Sequence, residues 1–300
     1  MVQWRESVRT GAGLLPRPVT EGTTIAIEEN GKFGGYRLRE QISRGGIATI
    51  WLATDAKDNL FAIRIMHNDF RANSSGPSLF RAGCEILKKI PRHENIIHYL
   101  NHGREAGRDY MLLEYVEGAN LRELMIKSDP QVQDNLGDRL LDMASALAHV
   151  HSSEFMHLDF KPENLVVSRG GRMLLCDFDT AQPIPTSPIR LPNKSGTPLY
   201  MPPEIINGWG CDQRADIYSF AVTAYELLTR IKPFEGRTPQ EMLRNQLNPK
   251  YRIRKLRDFN DGIPIVLENM ILKCLSHLPE NRYPFMAHIT RDLHKALGVR

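Results

Sequence analysis

A chain of 300 residues with 41% hydrophobic and 25% charged side chains can bury a sizeable core, as one large domain or as two lobes. Its net charge of +4 comes from interleaved bases and acids, and its one dense basic run, KYRIRKLR at 250–257, reads as a solvated face, so nothing here argues for a nucleic-acid partner. No apolar run reaches the length of a membrane span and the first residues lack the apolar core of a secretory leader, which argues against both.

Residues 1–33 are rich in Gly, Pro, Thr and charge and read as a flexible N-terminal tail, with one short strand expected at TTIAI, residues 23–27. From Tyr36 come three strand patterns, YRLREQI, IATIWLATD and LFAIRIM, separated by SRGG and AKDN, which is the pattern of an antiparallel meander. In FAIRIM, residues 61–66, alternation puts Phe61, Ile63 and Ile65 on one face and Ala62, Arg64 and Met66 on the other. A guanidinium in so apolar a strand has a partner, faces solvent, or faces an anionic ligand, and spacing alone does not choose. A helix is expected over 79–90, then strands around IIHYLNHG and DYMLLEY. Past Gly118 the apolar spacing turns to three and four, giving helices over NLRELMIK, DNLGDRLLDMASALAHVHSS, 214–229, 238–246, 265–276 and 286–297. Cys84, Cys176, Cys211 and Cys274 show no paired spacing, which fits a reducing, cytoplasmic setting and argues against a zinc site. The loose histidine groups lack ligand partners at useful spacing and read as structural.

The chemistry concentrates in HLDFKPENLVVS, residues 157–168, and MLLCDFDT, residues 173–180. Two carboxylates, one amide and one ammonium beside short apolar strands can bind a divalent metal, hold an anion and take a proton from a hydroxyl. Taken alone, Asp159 and Asp177 read equally well as solvated acids at hairpin ends.

The order of motifs is more specific. HLDFKPEN resembles the catalytic loop of protein kinases and CDFD their metal loop. SRGGIATIWLATD is similar to the glycine-rich loop, MLLEYVEG to the inter-lobe hinge, SGTPLYMPPE to the substrate-docking segment, and DIYSFAVTAYELLTRIKPF to the helix after it. PENRY supplies the arginine that the family pairs with the glutamate at position 204. The resemblance runs from Tyr36 to about Leu297. It implies an α+β, two-lobed protein-kinase-like fold over 34–297, with a β-rich N-lobe to about 115 and a helical C-lobe from about 118.

It also implies ATP, Mg2+ or Mn2+, and a protein substrate or regulatory protein partner. By position, Asp159 is the catalytic aspartate that orients and deprotonates the acceptor hydroxyl, and Lys161 stabilises the transferring phosphoryl charge. Asn164 and Asp177 are the metal ligands. Ile42, Gly45, Gly46, Ile50, Ala62, Arg64, Leu113, Glu114, Val116 and Val166 fall at nucleotide-lining positions, with Leu113 as gatekeeper. Thr197 and Glu204 belong to the docking segment. Lys161 with Thr197 follows the serine/threonine pattern; small-molecule kinases of the aminoglycoside or choline type usually carry histidine at position 161.

Several positions depart from the family. Arg64 replaces the phosphate-gripping lysine, and Gly83 falls where the partner glutamate is expected. Ser43 and Ala48 replace two loop glycines, which stiffens the loop and covers the nucleotide less closely. Leu158 replaces the arginine before the catalytic aspartate, which argues against activation by phosphorylation of the segment. Asp179 replaces the glycine of the metal loop, where it either assists the metal or repels Asp177. Two readings result: an active serine/threonine kinase of low activity with atypical nucleotide anchoring, or a pseudokinase acting as a nucleotide-binding, scaffolding or allosteric module.

Overall fold

The computed structural model describes residues 29–67, 75–191 and 196–298; the strand expected at 23–27 lies outside the described residues. Strands β1 (Lys32–Phe33), β2 (Tyr36–Arg44), β3 (Ala48–Thr54), β4 (Leu60–Met66), β5 (Tyr99–Glu105) and β6 (Arg108–Glu114) form one antiparallel sheet in the order β1-β2-β3-β4-β6-β5. Alternation sorts its two faces as the strand period requires. Phe33, Leu38, Trp51, Ala53, Ile63, Ile65 and Leu112 close an outer cluster. Ala48, Ala62, Met66, Met111 and Leu113 join the main core on the other side, and Arg64 shares that inner face.

Order begins inside the stretch expected to be tail. Lys32 and Phe33 pair with Arg37 and Tyr36, and Phe33 is buried edge-on against Tyr110 with ring centroids 5.7 Å apart. Helix α1 (Gly76–Lys89) starts before the expected Leu79, because a proline is tolerated in a first helical turn; Lys88 and Lys89 favour its C-terminal end. Of IIHYLNHG, only the part from Tyr99 is strand. Ile96 and Ile97 are buried in a crossing between the lobes, where the Ile97 N–H donates to Leu175 O at 3.0 Å.

The C-lobe comprises β7 (Gly118–Asn120), α2 (Leu121–Lys127), α3 (Pro130–Gln133), α4 (Leu136–Ser152), β8 (Phe155–Met156), β9 (Leu165–Ser168), β10 (Met173–Leu175), β11 (Gln182–Pro183), α5 (Pro203–Asn207), α6 (Arg214–Thr229), α7 (Pro239–Leu247), α8 (Ile265–Cys274) and α9 (Met286–Leu297). Asn120 caps α2 by accepting the Glu123 N–H at 3.0 Å. Helix α6 is buried on nearly every side, and its polar residues Asp216, Ser219, Thr223 and Glu226 are buried with it. One apolar cluster joins Ala62, Phe80 and Leu87 above to Leu147, Phe160 and Phe220 below, so the lobes share a core and the cleft between them has a packed floor. All four cysteines are unpaired, and among the described residues no helix is long and apolar enough to cross a membrane.

Candidate active site

The loop between β8 and β9 carries His157 through Asn164, and a buried carboxylate shapes it. Asp216, in the first turn of α6, accepts the backbone N–H of His157 at 2.8 Å and of Leu158 at 2.7 Å, and pairs with His151 Nε2 at 2.9 Å. These bonds hold Leu158 at φ 65, a left-handed conformation that a branched side chain adopts only under constraint. Burial pushes the Asp216 carboxyl up, but the His151 hydrogen bond, the nearby imidazoles and the N–H donors outweigh it and hold the group below the usual carboxylate range. A lowered folded value stabilises the protein above the unfolded value, and that contribution is lost as pH falls through the ordinary carboxylate range and below. Asp216→Asn is therefore expected to lower the melting temperature at pH 7, with the gap to wild type narrowing toward about pH 3; thermal unfolding across that range checks it.

Asp159 sits at the centre of a donor cluster. Its Oδ2 accepts Lys161 Nζ at 2.7 Å and Asn164 Nδ2 at 3.0 Å, and its Oδ1 accepts the Thr197 N–H at 3.3 Å. Lys161 Nζ also donates to Thr197 Oγ1 at 2.8 Å, and Asn164 Nδ2 to the Asp159 carbonyl at 2.9 Å. Gly196 makes the approach possible. Its φ of +127 is a backbone conformation that side-chain-bearing residues rarely adopt.

Asp177 follows β10 at φ 62, a conformation aspartate tolerates. Phe178 packs edge-on against His157, centroids 4.9 Å apart, which seats the segment inward. Above it, Arg64 donates Nη1 to Asp179 Oδ1 at 2.6 Å and Nη2 to Asp179 Oδ2 at 2.7 Å, with Asp177 Oδ1 farther at 3.5 Å. The pair is buried and lies beside Phe80, whose ring centroid is 5.0 Å from Arg64 Cζ. Burial opposes charge on Asp177, but Arg64 and then His157 hold its carboxyl below the usual range. Asp179 is thus paired with Arg64 and does not stand unpaired beside Asp177. It is the main counter-ion of Arg64. Gly83 leaves no room for the helix glutamate: a Cβ there would lie 2.9 Å from backbone atoms of Phe178 and Asp179.

The Asn164 nitrogen is committed to Asp159, so its amide oxygen and the part-exposed Asp177 carboxylate are the hard donors available to a cation. Among the described residues no group of three His, Cys, Asp or Glu could hold a metal ion. Two protein oxygens, completed by phosphate and water, suit Mg2+, which keeps several non-protein ligands.

The other residues expected to line the nucleotide lie on the N-lobe sheet, the segment after it and β9. Ala62 pairs across strands with Leu113, and Ile50 with Arg64. Ile50 and Val116 are partly buried against the main core, and Val166 is half-buried on β9. Gly45 and Gly46 turn between β2 and β3, closed by the Gly45 N–H on Ala48 O at 2.9 Å, with exposed Ile42 at the base of the turn. Glu114 turns its carboxylate back onto the His98 N–H at 2.9 Å, so only its backbone is offered to the cleft.

Glu204 makes the pair with Arg282 that the motifs imply, and that pairing gives it an anchoring place instead of one facing an acceptor. It is 2% exposed and bound at both oxygens by Arg282, at 2.7 and 2.8 Å, so it anchors the segment and cannot touch an acceptor. Leu158 packs in an apolar cluster with Met156, Met201, Ile205, Cys211 and Ala215.

A second ion network joins residues of three of the motifs to α2, a pairing the motifs themselves do not announce. Arg122 on α2 reaches Glu163 at 2.9 Å, Glu226 at 2.9 Å and the Tyr200 hydroxyl, and Lys232 adds to Glu226. These residues are far apart in sequence, and no local spacing announces them. Asp216 lies inside the DIYSFAV motif, whose sequence assigns it no role, and spacing leaves the role of Asp179 open between two alternatives.

A protein-family model described as a protein kinase domain matches residues 36–293. A probable serine/threonine-protein kinase of Clostridium acetobutylicum is 30% identical over 261 residues, 86% of this chain and 39% of that protein. Serine/threonine-protein kinase PrkC of Bacillus subtilis is 28% identical over 89% of this chain and 41% of its own length. Serine/threonine-protein kinase PknL of Mycobacterium tuberculosis is 26% identical over 92% of this chain and 69% of its own length. The chain thus spans about two fifths of the first two relatives.

Proposed function

The chain belongs to the eukaryotic-like protein kinase family, and from that premise we propose that it transfers the γ-phosphoryl group of ATP to serine or threonine in a protein. The observation that carries this reading is the assembled set of Asp159, Lys161, Asn164 and Thr197, joined by direct hydrogen bonds beside Asp177. Asp159 orients the acceptor hydroxyl and takes its proton, and Lys161 stands against the charge on the moving phosphoryl group. Arg64 serves as an atypical phosphate anchor. Asn164 and Asp177 hold magnesium or manganese, which neutralises charge on the phosphates when bound. Positioning and electrostatics supply most of such catalysis, and an anchor of altered shape costs on the order of 10²-fold in rate, giving a slow enzyme. A reducing, cytoplasmic setting fits the unpaired cysteines.

One observation favours a second reading, a pseudokinase that binds nucleotide and acts as a scaffold or allosteric partner: both terminal nitrogens of Arg64 are already held by Asp179. Incubation with Mg2+ or Mn2+ and γ-labelled ATP, with casein or the chain itself as acceptor, separates the two. Label on serine or threonine is the expected result. Magnesium-dependent nucleotide binding without transfer supports the second reading, and label carried only by α-labelled ATP overturns both in favour of nucleotidyl transfer.

A further inference from the structure

The ion pair expected between β4 and α1 has left the helix. Gly83 stands where the resemblance places glutamate, and the 2.9 Å approach of its missing Cβ to the Phe178 carbonyl and Asp179 Cα is to backbone, which has little freedom to yield. The next acid on α1, Glu85, pairs with His102 at 3.0 Å. Two carboxylates remain on the guanidinium. Asp179 takes both terminal nitrogens at 2.6 and 2.7 Å, while Asp177 receives only a 3.5 Å contact.

We infer that Asp179 is the positioning residue for Arg64, holding the guanidinium away from Asp177 so that Asp177 stays available to a cation. This rests on the nucleotide-binding reading above. A bidentate carboxylate engages two of the five guanidinium N–H groups and leaves the others for phosphate oxygens. Without Asp179, the one remaining carboxylate contact of Arg64 among the described residues is Asp177, and collapse onto it would occupy a residue needed for the metal. The arrangement also moves the counter-charge from a helix onto the segment that carries the metal loop. Helix α1 contributes close packing through Gly83 and no charge.

The test is calorimetric, with adenosine and with magnesium–AMPPNP as separate ligands. Asp179→Gly is expected to leave adenosine affinity within about 2-fold and to weaken magnesium–AMPPNP about 10- to 100-fold. The span-conserving pair Arg64→Lys with Asp179→Glu, one side chain shortened and the other lengthened, is expected to recover most of the loss. Arg64→Lys with Gly83→Glu is expected not to, because the glutamate has no space. Unchanged or tighter magnesium–AMPPNP binding in Asp179→Gly overturns the inference, as does equal loss for adenosine, which would make Asp179 merely structural. Thermal unfolding without ligand verifies that each variant is folded. No magnesium–nucleotide binding by the wild type defeats the nucleotide-binding reading itself, a result distinct from unchanged binding in the variant.

Discussion

Asp159→Asn is expected to lower the proposed phosphoryl transfer about 10²- to 10⁴-fold, the range for loss of a positioned general base. The substitution is nearly isosteric, so the backbone of the loop, held from below by Asp216, has no reason to move. What changes is charge and donor pattern. Oδ2 accepts both Lys161 and Asn164, and Oδ1 accepts the Thr197 N–H. An amide supplies one oxygen only, so one position sets an N–H₂ against an existing donor, and it cannot take a proton. Magnesium–nucleotide affinity is expected within about 3-fold of wild type, because an interaction made only in the transition state changes rate and not ground-state binding. Initial rates with labelled ATP, paired with calorimetric nucleotide affinity, check both halves. Equal losses in rate and affinity would mean that Asp159 holds the site together instead of acting on the acceptor.

Arg282→Met carries the largest expected effect on stability, about 3–5 kcal/mol, because it strands a buried carboxylate. Glu204 is 2% exposed, and its two oxygens accept the two terminal nitrogens of Arg282. Arg282 also donates to the carbonyls of Ser276 at 2.8 Å and Arg214 at 3.0 Å, and its guanidinium carbon lies 4.8 Å from the Tyr218 ring centroid. Its removal therefore detaches the start of α5 from the turn before α9 and orphans those carbonyls. For a domain of this size the melting temperature falls by about 10 °C or more. Adding Glu204→Gln to Arg282→Met recovers part of the loss, since no charge remains buried. Differential scanning of the two variants beside Asp159→Asn, expected near wild type, separates an anchoring pair from a catalytic group.

Residues that act through local spacing are legible in the amino-acid sequence. Alternation over 61–66 places Arg64 on the inner face of the sheet, and the helices expected over 214–229 and 286–297 match α6 and α9. Asp159, Lys161 and Asn164 lie within six positions of one another, so one short loop carries all three once Asp216 has fixed its backbone. The motif order implies the two-lobed fold for the same reason, as a set of short local patterns.

Sequence alone points to the side chains that could do chemistry here, and shows that two partners the family pattern expects, a lysine and a glutamate, are missing. What stands in their place is set by tertiary packing. Arg64 and Asp179 are 115 positions apart, and Arg122 and Glu226 are 104 apart. The pairing of such charges depends on how sheet, helix and loop close on one another, which no local period encodes. The packing of Gly83 against the backbone of Phe178 and Asp179 joins the two levels. A missing side chain is visible in the sequence, but the segment that fills its space is fixed only when α1 docks on the metal loop.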